Sequence, residues 1–395
     1  MEQLETGKRQ PALRKTTGSP SIRPFRVNTP EADLIELRRR IAATRWPEKE
    51  TVADSSQGVQ LTTVQKLARY WATDYDWRKC EARLQALPNF LTEIDGLDIH
   101  FIHVRSKHEN ALPLIVTHGW PGSIVEQLKI VDPLANPTAH GGKASDAFHV
   151  VIPSIPGFGF SGKPTAPGWG VQRIADAWCA LMSRLGYHRF VAHGGDWGAI
   201  ITSRMGEVHA DRLLGIHITM PLVDPEPGDA DSDDPRVVDA LAASRHYERT
   251  DSAYARQQAT KPQTLGYGLT DSPAGQAAWI LEKFREWTDG DCHPENAIDR
   301  DAMLDTITIY WVTASAASAA RIYWESFHRF PRLPVVAPTA IAAFPKEILR
   351  VTPEWAARRY NVVRWTDMPR GGHFAALEQP QLLVDDLRAA ARAWR

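Results

Sequence analysis

Segment 194–198, Gly-Gly-Asp-Trp-Gly, constrains the fold of this chain more than any other stretch. It directly follows the apolar run 190–192, Phe-Val-Ala, and a neighbouring His. A strand that runs into a tight turn of small residues, and then into a helix, exposes the side chain at the centre of the turn. The segment therefore predicts a strand, a sharp turn and a helix, with Asp196 at the exposed position.

The identity of this central residue restricts the chemistry. A carboxylate has a pKa of about 3.9, so Asp196 needs no base to be anionic at neutral pH. A serine would need a base and would attack acyl carbons, whereas a carboxylate suits attack on a saturated, electrophilic carbon and forms an alkyl ester. Asp196 therefore indicates opening of a strained ether or displacement of a halide, and it argues against hydrolysis of a carboxylic ester.

Short apolar segments alternate with amphipathic ones along most of the chain. Such alternation is typical of a mostly parallel sheet with helices on both faces. We predict strands at 99–104, 113–117, 149–153, 190–192, 216–220, 335–338 and 362–365, and helices at 171–185, 276–288 and 379–394.

Changes of composition divide the chain into regions. The first residues are polar and aperiodic, which is typical of a flexible terminus. After them, Thr29 and Pro30 predict the start of a first helix. The predicted regions are a flexible leader at 1–21, a helical N-terminal region at 22–90, the first part of the sheet at 91–223, a helical insertion at 224–325 and the second part of the sheet at 326–395.

Two further motifs complete a candidate site around Asp196. Segment 118–123, His-Gly-Trp-Pro-Gly-Ser, follows a predicted strand. The backbone N–H of Trp120, paired with that of Trp197, would form an oxyanion hole with two donors. His373 lies in a glycine-rich loop after a late strand, where a base is expected in such a sheet.

The acid that would orient His373 has two candidates. Glu347 follows the predicted strand at 335–338 and is the favoured one, while Asp224, just after the strand at 216–220, competes with it. Either carboxylate would stabilise the charged imidazole. Either one also fits the chain order of nucleophile, acid and histidine.

Segment 157–162, Gly-Phe-Gly-Phe-Ser-Gly, matches a dinucleotide-binding pattern. However, Pro164 and Pro167 oppose a helix directly after it. Without a helix N-terminus a phosphate loses its main attraction. We therefore expect a loop near the pocket and no bound nucleotide.

The composition argues against several classes of protein. The net charge is −1, which gives no reason to expect nucleic acid or an anionic membrane as a partner. The N-terminus has no apolar signal core, and no stretch approaches the roughly 20 apolar residues that span a bilayer. Cys80, Cys179 and Cys292 are too widely spaced to suggest a disulfide framework or a zinc site. We predict a soluble cytoplasmic protein.

Five segments of this chain resemble, in their order, motifs of the α/β-hydrolase-fold epoxide hydrolases. They are the N-terminal segment 24–47 and the motifs at 118–123, 156–161, 194–198 and 371–378. The relevant branch includes microsomal, juvenile-hormone and soluble fungal and bacterial enzymes. The resemblance covers nearly the whole chain and implies a helical lid and an N-terminal helical extension. It also implies conversion of a small-molecule epoxide and water into a vicinal diol through a covalent ester, without a metal or an organic cofactor. The family suggests a homodimer, and we do not expect here the anchor of its membrane-bound members.

The resemblance also implies roles for individual residues. The lid of the family carries two tyrosines that donate hydrogen bonds to the epoxide oxygen as the ring opens, and the best matches are Tyr254 and Tyr323. The same resemblance implies that Asp196 forms the ester and that His373, held by Glu347, activates water.

Two other functions are compatible with the motifs. Haloalkane dehalogenases use the same aspartate, histidine and acid on this fold, with halide-stabilising donors, often Trp, instead of the tyrosines. Trp120 and Trp197 are available for that role. A non-catalytic binding protein would be expected to lack a catalytic position, and none is missing. Tyr254, Tyr323 and the helical N-terminal region favour the epoxide.

Overall fold

The computed structural model describes residues 21–327 and 331–395. The leader predicted at 1–21 lies outside the described residues, except for its last residue. The described strands are β1 (Arg23–Phe25), β2 (Asn89–Ile94), β3 (Leu97–Val104), β4 (Leu112–Thr117), β5 (Phe148–Pro153), β6 (Phe190–Gly194), β7 (Leu213–Ile218), β8 (Val335–Ala343) and β9 (Tyr360–Asp367).

The helices occupy three stretches of the chain: before the sheet, between its strands, and after its last strand. They are α1 (Glu31–Ala42), α2 (Leu61–Thr73), α3 (Trp77–Gln85), α4 (Leu128–Ala135), α5 (Val171–Arg184), α6 (Trp197–Val208), α7 (Pro235–His246), α8 (Ala253–Thr260), α9 (Pro262–Asp271), α10 (Pro273–Trp287), α11 (Arg300–Val312), α12 (Ala316–Ser326), α13 (Pro353–Ala357), α14 (Ala375–Glu378) and α15 (Pro380–Ala391).

The strands form one sheet in the order β1-β2-β3-β5-β4-β6-β7-β8-β9. The strands from β5 to β9 in this order pair in parallel, whereas β1, β2 and β3 join the β5 edge as antiparallel strands. The prediction of a mostly parallel α/β sheet is confirmed. Because the carboxyl ends of β4, β6, β8 and β9 lie at the same edge, the loops that follow them meet there.

The N-terminal region is not only helical. Besides α1, α2 and α3 it contributes β1 and the start of β2, which the sequence analysis did not predict. β2 and β3 form a hairpin in which Ile94 pairs with Leu97 across Asp95 and Gly96. Both turn residues have positive φ, 52° and 80°, as a two-residue hairpin loop requires.

The helical N-terminal region packs against the lid, which consists of α7 to α12 between β7 and β8. The Trp71 indole donates a 2.9 Å hydrogen bond to the Thr308 hydroxyl, and Tyr75 donates one of 2.7 Å to Asp305. Arg83 forms an ion pair with the same Asp305 carboxylate. The N-terminal helices therefore fix the position of α11.

The glycine-rich loop at 157–162 also supports the lid. No helix begins between it and Val171, which agrees with the expectation from Pro164 and Pro167. The Ser318 hydroxyl, on α12, donates a 2.5 Å hydrogen bond to the carbonyl of Gly157. A Cβ at Gly157 would lie 2.8 Å from the carbonyl oxygen of Ser318, so only glycine allows this close approach.

The described helices include none with the length and apolar character that a membrane span requires.

Candidate active site

Asp196 occupies a strained turn between β6 and α6. Its φ of 50° and ψ of −129° lie in a region that residues with a Cβ rarely adopt. A Cβ at Gly198 would lie 1.9 Å from the carbonyl oxygen of Thr117, so the helix can start this close to β4 only with glycine there. The turn exposes the Asp196 side chain at the carboxyl edge of the sheet.

The turn after β4 approaches the same carboxylate. The backbone N–H of Trp120 donates a 2.8 Å hydrogen bond to Asp196 Oδ1. A Cβ at Gly119 would lie 2.2 Å from that oxygen, so the contact requires glycine. The Asp196 side chain accepts no hydrogen bond from the first turn of α6, where the N–H of Trp197 lies. In this state, therefore, only the Trp120 member of the predicted donor pair contacts the carboxylate.

His373 lies between the carboxylates of Asp196 and Glu347. Its Nε2 is 3.4 Å from Asp196 Oδ2, and its Nδ1 is 2.6 Å from Glu347 Oε1. The loops after β8 and β9, which carry Glu347 and His373, are joined by a hydrogen bond of 3.1 Å from Lys346 N–H to the carbonyl of Gly371. The structure therefore brings Asp196, His373 and Glu347 together.

Asp224, the competing acid, lies elsewhere. Its side chain is 78% exposed and forms an ion pair with Arg332, whereas the Glu347 side chain is 1% exposed. Among the described residues Asp224 forms no ion pair with His373. The geometry thus favours Glu347 as the partner of the imidazole.

Two carboxylates set the protonation of His373. Burial alone would lower the pKa of the imidazole, but the charges of Glu347 and Asp196 and the hydrogen bonds to both outweigh burial and raise the pKa well above its usual value. In the resting protein His373 is therefore protonated, and its positive charge lies between the carboxylates of Asp196 and Glu347.

The two lid tyrosines lie near the Asp196 carboxylate. Tyr254 comes from α8 and stacks on Trp120 with ring centroids 4.9 Å apart, while Tyr323 from α12 meets Trp197 edge-on at 4.8 Å. The tyrosine rings themselves are 5.8 Å apart. Burial raises the pKa of both phenols, and the Asp196 charge raises both further, because the carboxylate is near.

The tyrosine hydroxyls differ in their partners. The Tyr254 hydroxyl is 3.1 Å from that of Tyr247, which lies in a π-helical segment, Tyr247–Asp251. The Tyr323 hydroxyl is buried and forms no hydrogen bond of standard geometry within the described residues. Tyr254 and Trp197 lie close enough to interact with this hydroxyl, and a ligand oxygen would offer it a hydrogen bond of better geometry.

Sequence reasoning missed three residues that contact or border this site. Tyr247 supports Tyr254, and a π-helical turn has no recognisable sequence pattern. Lys283 lies 4.5 Å from the Tyr254 ring centroid although its side chain is only 1% exposed. Glu126 faces Asp196 and His373, and its position three residues after the motif at 118–123 could have drawn attention to it.

A cavity of about 370 Å³ runs from Asp196 and the two tyrosines beneath the lid. A cleft of this size, apolar with a few convergent polar groups, suits a small organic ligand. Its apolar lining includes Ile200, Met220, Leu222, Leu241, Leu349 and Trp355.

Comparisons with known proteins agree with this geometry. Residues 22–127 match the model of the epoxide hydrolase N terminus, and residues 113–299 match that of the alpha/beta hydrolase fold. A Stigmatella aurantiaca protein, whose name provisionally describes it as an epoxide hydrolase, is 52% identical over 95% of this chain and 86% of its own. Epoxide hydrolase 1 of Oryctolagus cuniculus is 35% identical over 93% of this chain and 88% of its own.

A solved structure also resembles this chain over nearly its whole length. The juvenile hormone epoxide hydrolase from the silkworm Bombyx mori superimposes with a TM-score of 0.88 and 30% identity, covering 96% of each chain. The similarity extends through the N-terminal region, the sheet and the lid. The chain belongs to the epoxide hydrolase family of the α/β-hydrolase fold.

Proposed function

We propose that this protein hydrolyses an epoxide to a vicinal diol, with Asp196 as the nucleophile. The observation that carries the proposal is the position of the Asp196 carboxylate, between a base, His373, and two buried phenols, Tyr254 and Tyr323. Opening an uncharged three-membered ether needs an anion to attack carbon and donors to stabilise the ring oxygen. The Asp196 carboxylate and the two tyrosine hydroxyls supply these groups.

In the first step an oxygen of Asp196 forms a bond to one epoxide carbon. The carbon–oxygen bond of the ring breaks, and its electron pair goes to the ring oxygen, which takes a proton from a tyrosine hydroxyl. The hydroxyl of Tyr323 is one donor, and that of Tyr254 is the second. The products are a hydroxyalkyl ester on Asp196 and a tyrosinate, and the tyrosinate regains a proton as the His373 imidazolium loses one.

Formation of the ester prepares the second step. The ester is neutral, so one of the two carboxylates that raise the pKa of His373 is lost and that pKa falls. The neutral imidazole, which Glu347 holds in orientation, then takes a proton from water. The hydroxide attacks the carbonyl carbon of the ester, and the N–H groups of Trp120 and Trp197 would stabilise the resulting oxyanion. The oxyanion collapses, the bond from the carbonyl carbon to the alkyl oxygen breaks, and that oxygen takes a proton from the His373 imidazolium as the diol leaves. The carboxylic acid left on Asp196 then gives its proton to His373, which restores the resting charges.

The dehalogenase alternative is less well supported. It would need donors for a halide instead of for an alkoxide, and the indoles of Trp120 and Trp197 pack against the tyrosine rings. The tyrosine pair, by contrast, provides two hydroxyls near the nucleophile. Epoxide hydrolase 1 of Oryctolagus cuniculus is 35% identical to this chain, and the Stigmatella aurantiaca protein at 52% identity is also named for this activity, which favours the epoxide.

The substrate we propose is an apolar epoxide. The cavity of about 370 Å³ has an apolar wall and leads from Asp196 toward charged residues that include Arg332 and Glu248. An alkyl or aryl substituent would gain roughly 25 cal/mol for each square ångström removed from water. Preference of the enzyme for small hydrophilic epoxides would contradict this choice.

The first test compares wild type with Asp196→Ala on a panel of aryl and alkyl epoxides. We expect diol formation by wild type and none above background by the variant. Asp224→Ala is the matched control, because Asp224 borders the same cavity but is exposed, and it should keep near wild-type turnover. A single turnover in water labelled with heavy oxygen should place the label in Asp196 and not in the first diol released. Halide release from haloalkanes, with no diol from any epoxide, would contradict the proposal.

A further inference from the structure

A second, much smaller cavity lies behind the nucleophile, and we call it the rear cavity. It is bordered by Asp196, His373 and Glu126, with three glycines, Gly119, Gly122 and Gly195. Its volume of about 10 Å³ is close to the space that a single water molecule needs. It is therefore a site for one water between two carboxyl groups and an imidazole.

Glu126 reaches the rear cavity from the one-turn 3₁₀ helix Ile124–Gln127, which follows the motif at 118–123. The Glu126 carboxyl is enclosed by protein, although the residue as a whole is only half-buried. A Cβ at Gly122 would lie 2.0 Å from Glu126 Oε2. Glycine at 122 is thus what allows the Glu126 carboxyl to occupy this position.

The surroundings of Glu126 determine its charge. Burial raises the pKa of the carboxyl to about 8, Asp196 and Glu378 raise it as well, and His373 and the nearby Gln127 side chain oppose them. At neutral pH the group is therefore mostly protonated. A protonated carboxyl offers one donor and one acceptor, which is the pair that can orient a water molecule.

The second step of the proposed reaction needs a water at a defined place. It must lie within reach of His373 and of the carbonyl carbon of the ester on Asp196. The large cavity holds the alkyl group at that stage, so the rear cavity is the space that remains beside both residues. We propose that the rear cavity holds the hydrolytic water and that Glu126 orients this water for attack on the ester. This inference rests on the proposed function.

The test separates formation of the ester from its hydrolysis. Wild type, Glu126→Leu and Glu126→Gln are mixed with styrene oxide, quenched with acid, and examined by intact-protein mass spectrometry. For Glu126→Leu we expect ester formation within about threefold of wild type and hydrolysis slower by about 100-fold, the size of effect that misplacement of a reactant produces. Glu126→Gln keeps a donor and an acceptor and should lose less than about tenfold in hydrolysis.

The outcomes distinguish the two proposals. Absence of any ester on wild-type Asp196 would overturn the proposed function. Ester formation by wild type, with unchanged hydrolysis by Glu126→Leu, would overturn the role of Glu126 alone.

A second measurement decides the question if Glu126→Leu does not fold. Ionisation of Glu126 removes its donor, so the hydrolysis rate of wild type should fall at alkaline pH, above the pH range in which His373 loses its proton. Glu126→Gln should lack this fall, and its presence in Glu126→Gln would overturn the inference. A crystal structure of wild type should show an ordered water between Glu126 and His373, and an empty rear cavity would contradict it.

Discussion

At the scale of single residues, Glu347 has two effects on His373 that a substitution can separate. It orients the ring through a 2.6 Å hydrogen bond to Nδ1, and its charge raises the pKa of the imidazole against the effect of burial. The base must be neutral to accept a proton from water, so the hydrolysis rate rises with pH through the pKa of His373 in the ester. Glu347→Gln should move this rising limb to lower pH and decrease the maximum rate by about 100-fold or more.

The control for this prediction is Asp224→Asn, which removes the same charge at the alternative acid. Asp224 is exposed and pairs with Arg332, so its loss should leave the pH profile of ester hydrolysis unchanged. A shift of the rising limb in Asp224→Asn, and none in Glu347→Gln, would assign the role to Asp224. Both variants are measured by single-turnover hydrolysis of the ester between pH 5 and 9.

At the scale of elements, Lys283 joins two parts of the lid. Its ammonium group is 2.5 Å from Asp251 Oδ1, at the end of the π-helical segment that carries Tyr247, and it lies over the Tyr254 ring. Removal of one partner from a buried ion pair typically costs about 3–5 kcal/mol. Lys283→Met should lower the free energy of unfolding by about 3 kcal/mol and slow ester formation, because Tyr254 loses its support.

Urea denaturation and the rate of ester formation measure the two effects of Lys283→Met. Lys261→Met is the matched control, since the same substitution is made at an exposed lysine of the lid. It should change neither quantity by more than about 0.5 kcal/mol or its equivalent in rate. If both substitutions changed the free energy of unfolding and the rate of ester formation equally, the ion pair of Lys283 with Asp251 would not stabilise the lid.

The elements also show which parts of the fold the sequence can predict. β6, the turn at Asp196 and α6 were predictable, because an apolar run, small residues and an aspartate combine in one motif. β2 was missed although Asp95-Gly96 is a strong hairpin signal, because the residues before it do not alternate cleanly. The first helix begins at Glu31 and not at Pro30, which occupies the N-cap position without a side-chain hydrogen bond, while the Thr29 hydroxyl accepts one from Trp77.

The sequence favoured Glu347 over Asp224 without excluding Asp224, and it could not predict the rear cavity. Glu347 and Asp224 both follow a strand, and only the packing of the loops after β8 and β9 brings one of them to His373. The rear cavity depends on distances between glycines and carboxyl oxygens that come from separate segments. Such contacts arise from tertiary packing, to which local sequence patterns are insensitive. The division into regions and the homodimer remain predictions.

At the scale of the whole molecule, buried neutral histidines link acidification to unfolding. Burial lowers the pKa of His100 to about 3, of His118 to about 4 and of His193 to about 3. In the unfolded chain each would titrate near about 6.5, so between that pH and the folded pKa the unfolded state binds more protons. The contribution of these groups to stability is therefore complete above about pH 6.5 and is lost as the pH falls.

His100 offers the clearest test, because it joins the N-terminal hairpin to the central strands. Its ring nitrogens are 3.0 Å from Asn89 Oδ1 and 3.0 Å from the Ser154 hydroxyl. From pH 7.5 to pH 5 we expect this histidine alone to cost about 2 kcal/mol of unfolding free energy. His100→Gln should be less stable at pH 7.5, yet should lose about 2 kcal/mol less than wild type on acidification.

Urea denaturation at both pH values gives the four free energies that this comparison needs. His188→Gln is the control, because His188 is exposed and its replacement should leave the loss on acidification equal to that of wild type. The comparison uses differences within each variant, so the packing defect of His100→Gln cancels and only the linkage to protons remains. An equal loss in His100→Gln and wild type would mean that His100 does not link acidification to the unfolding of the sheet.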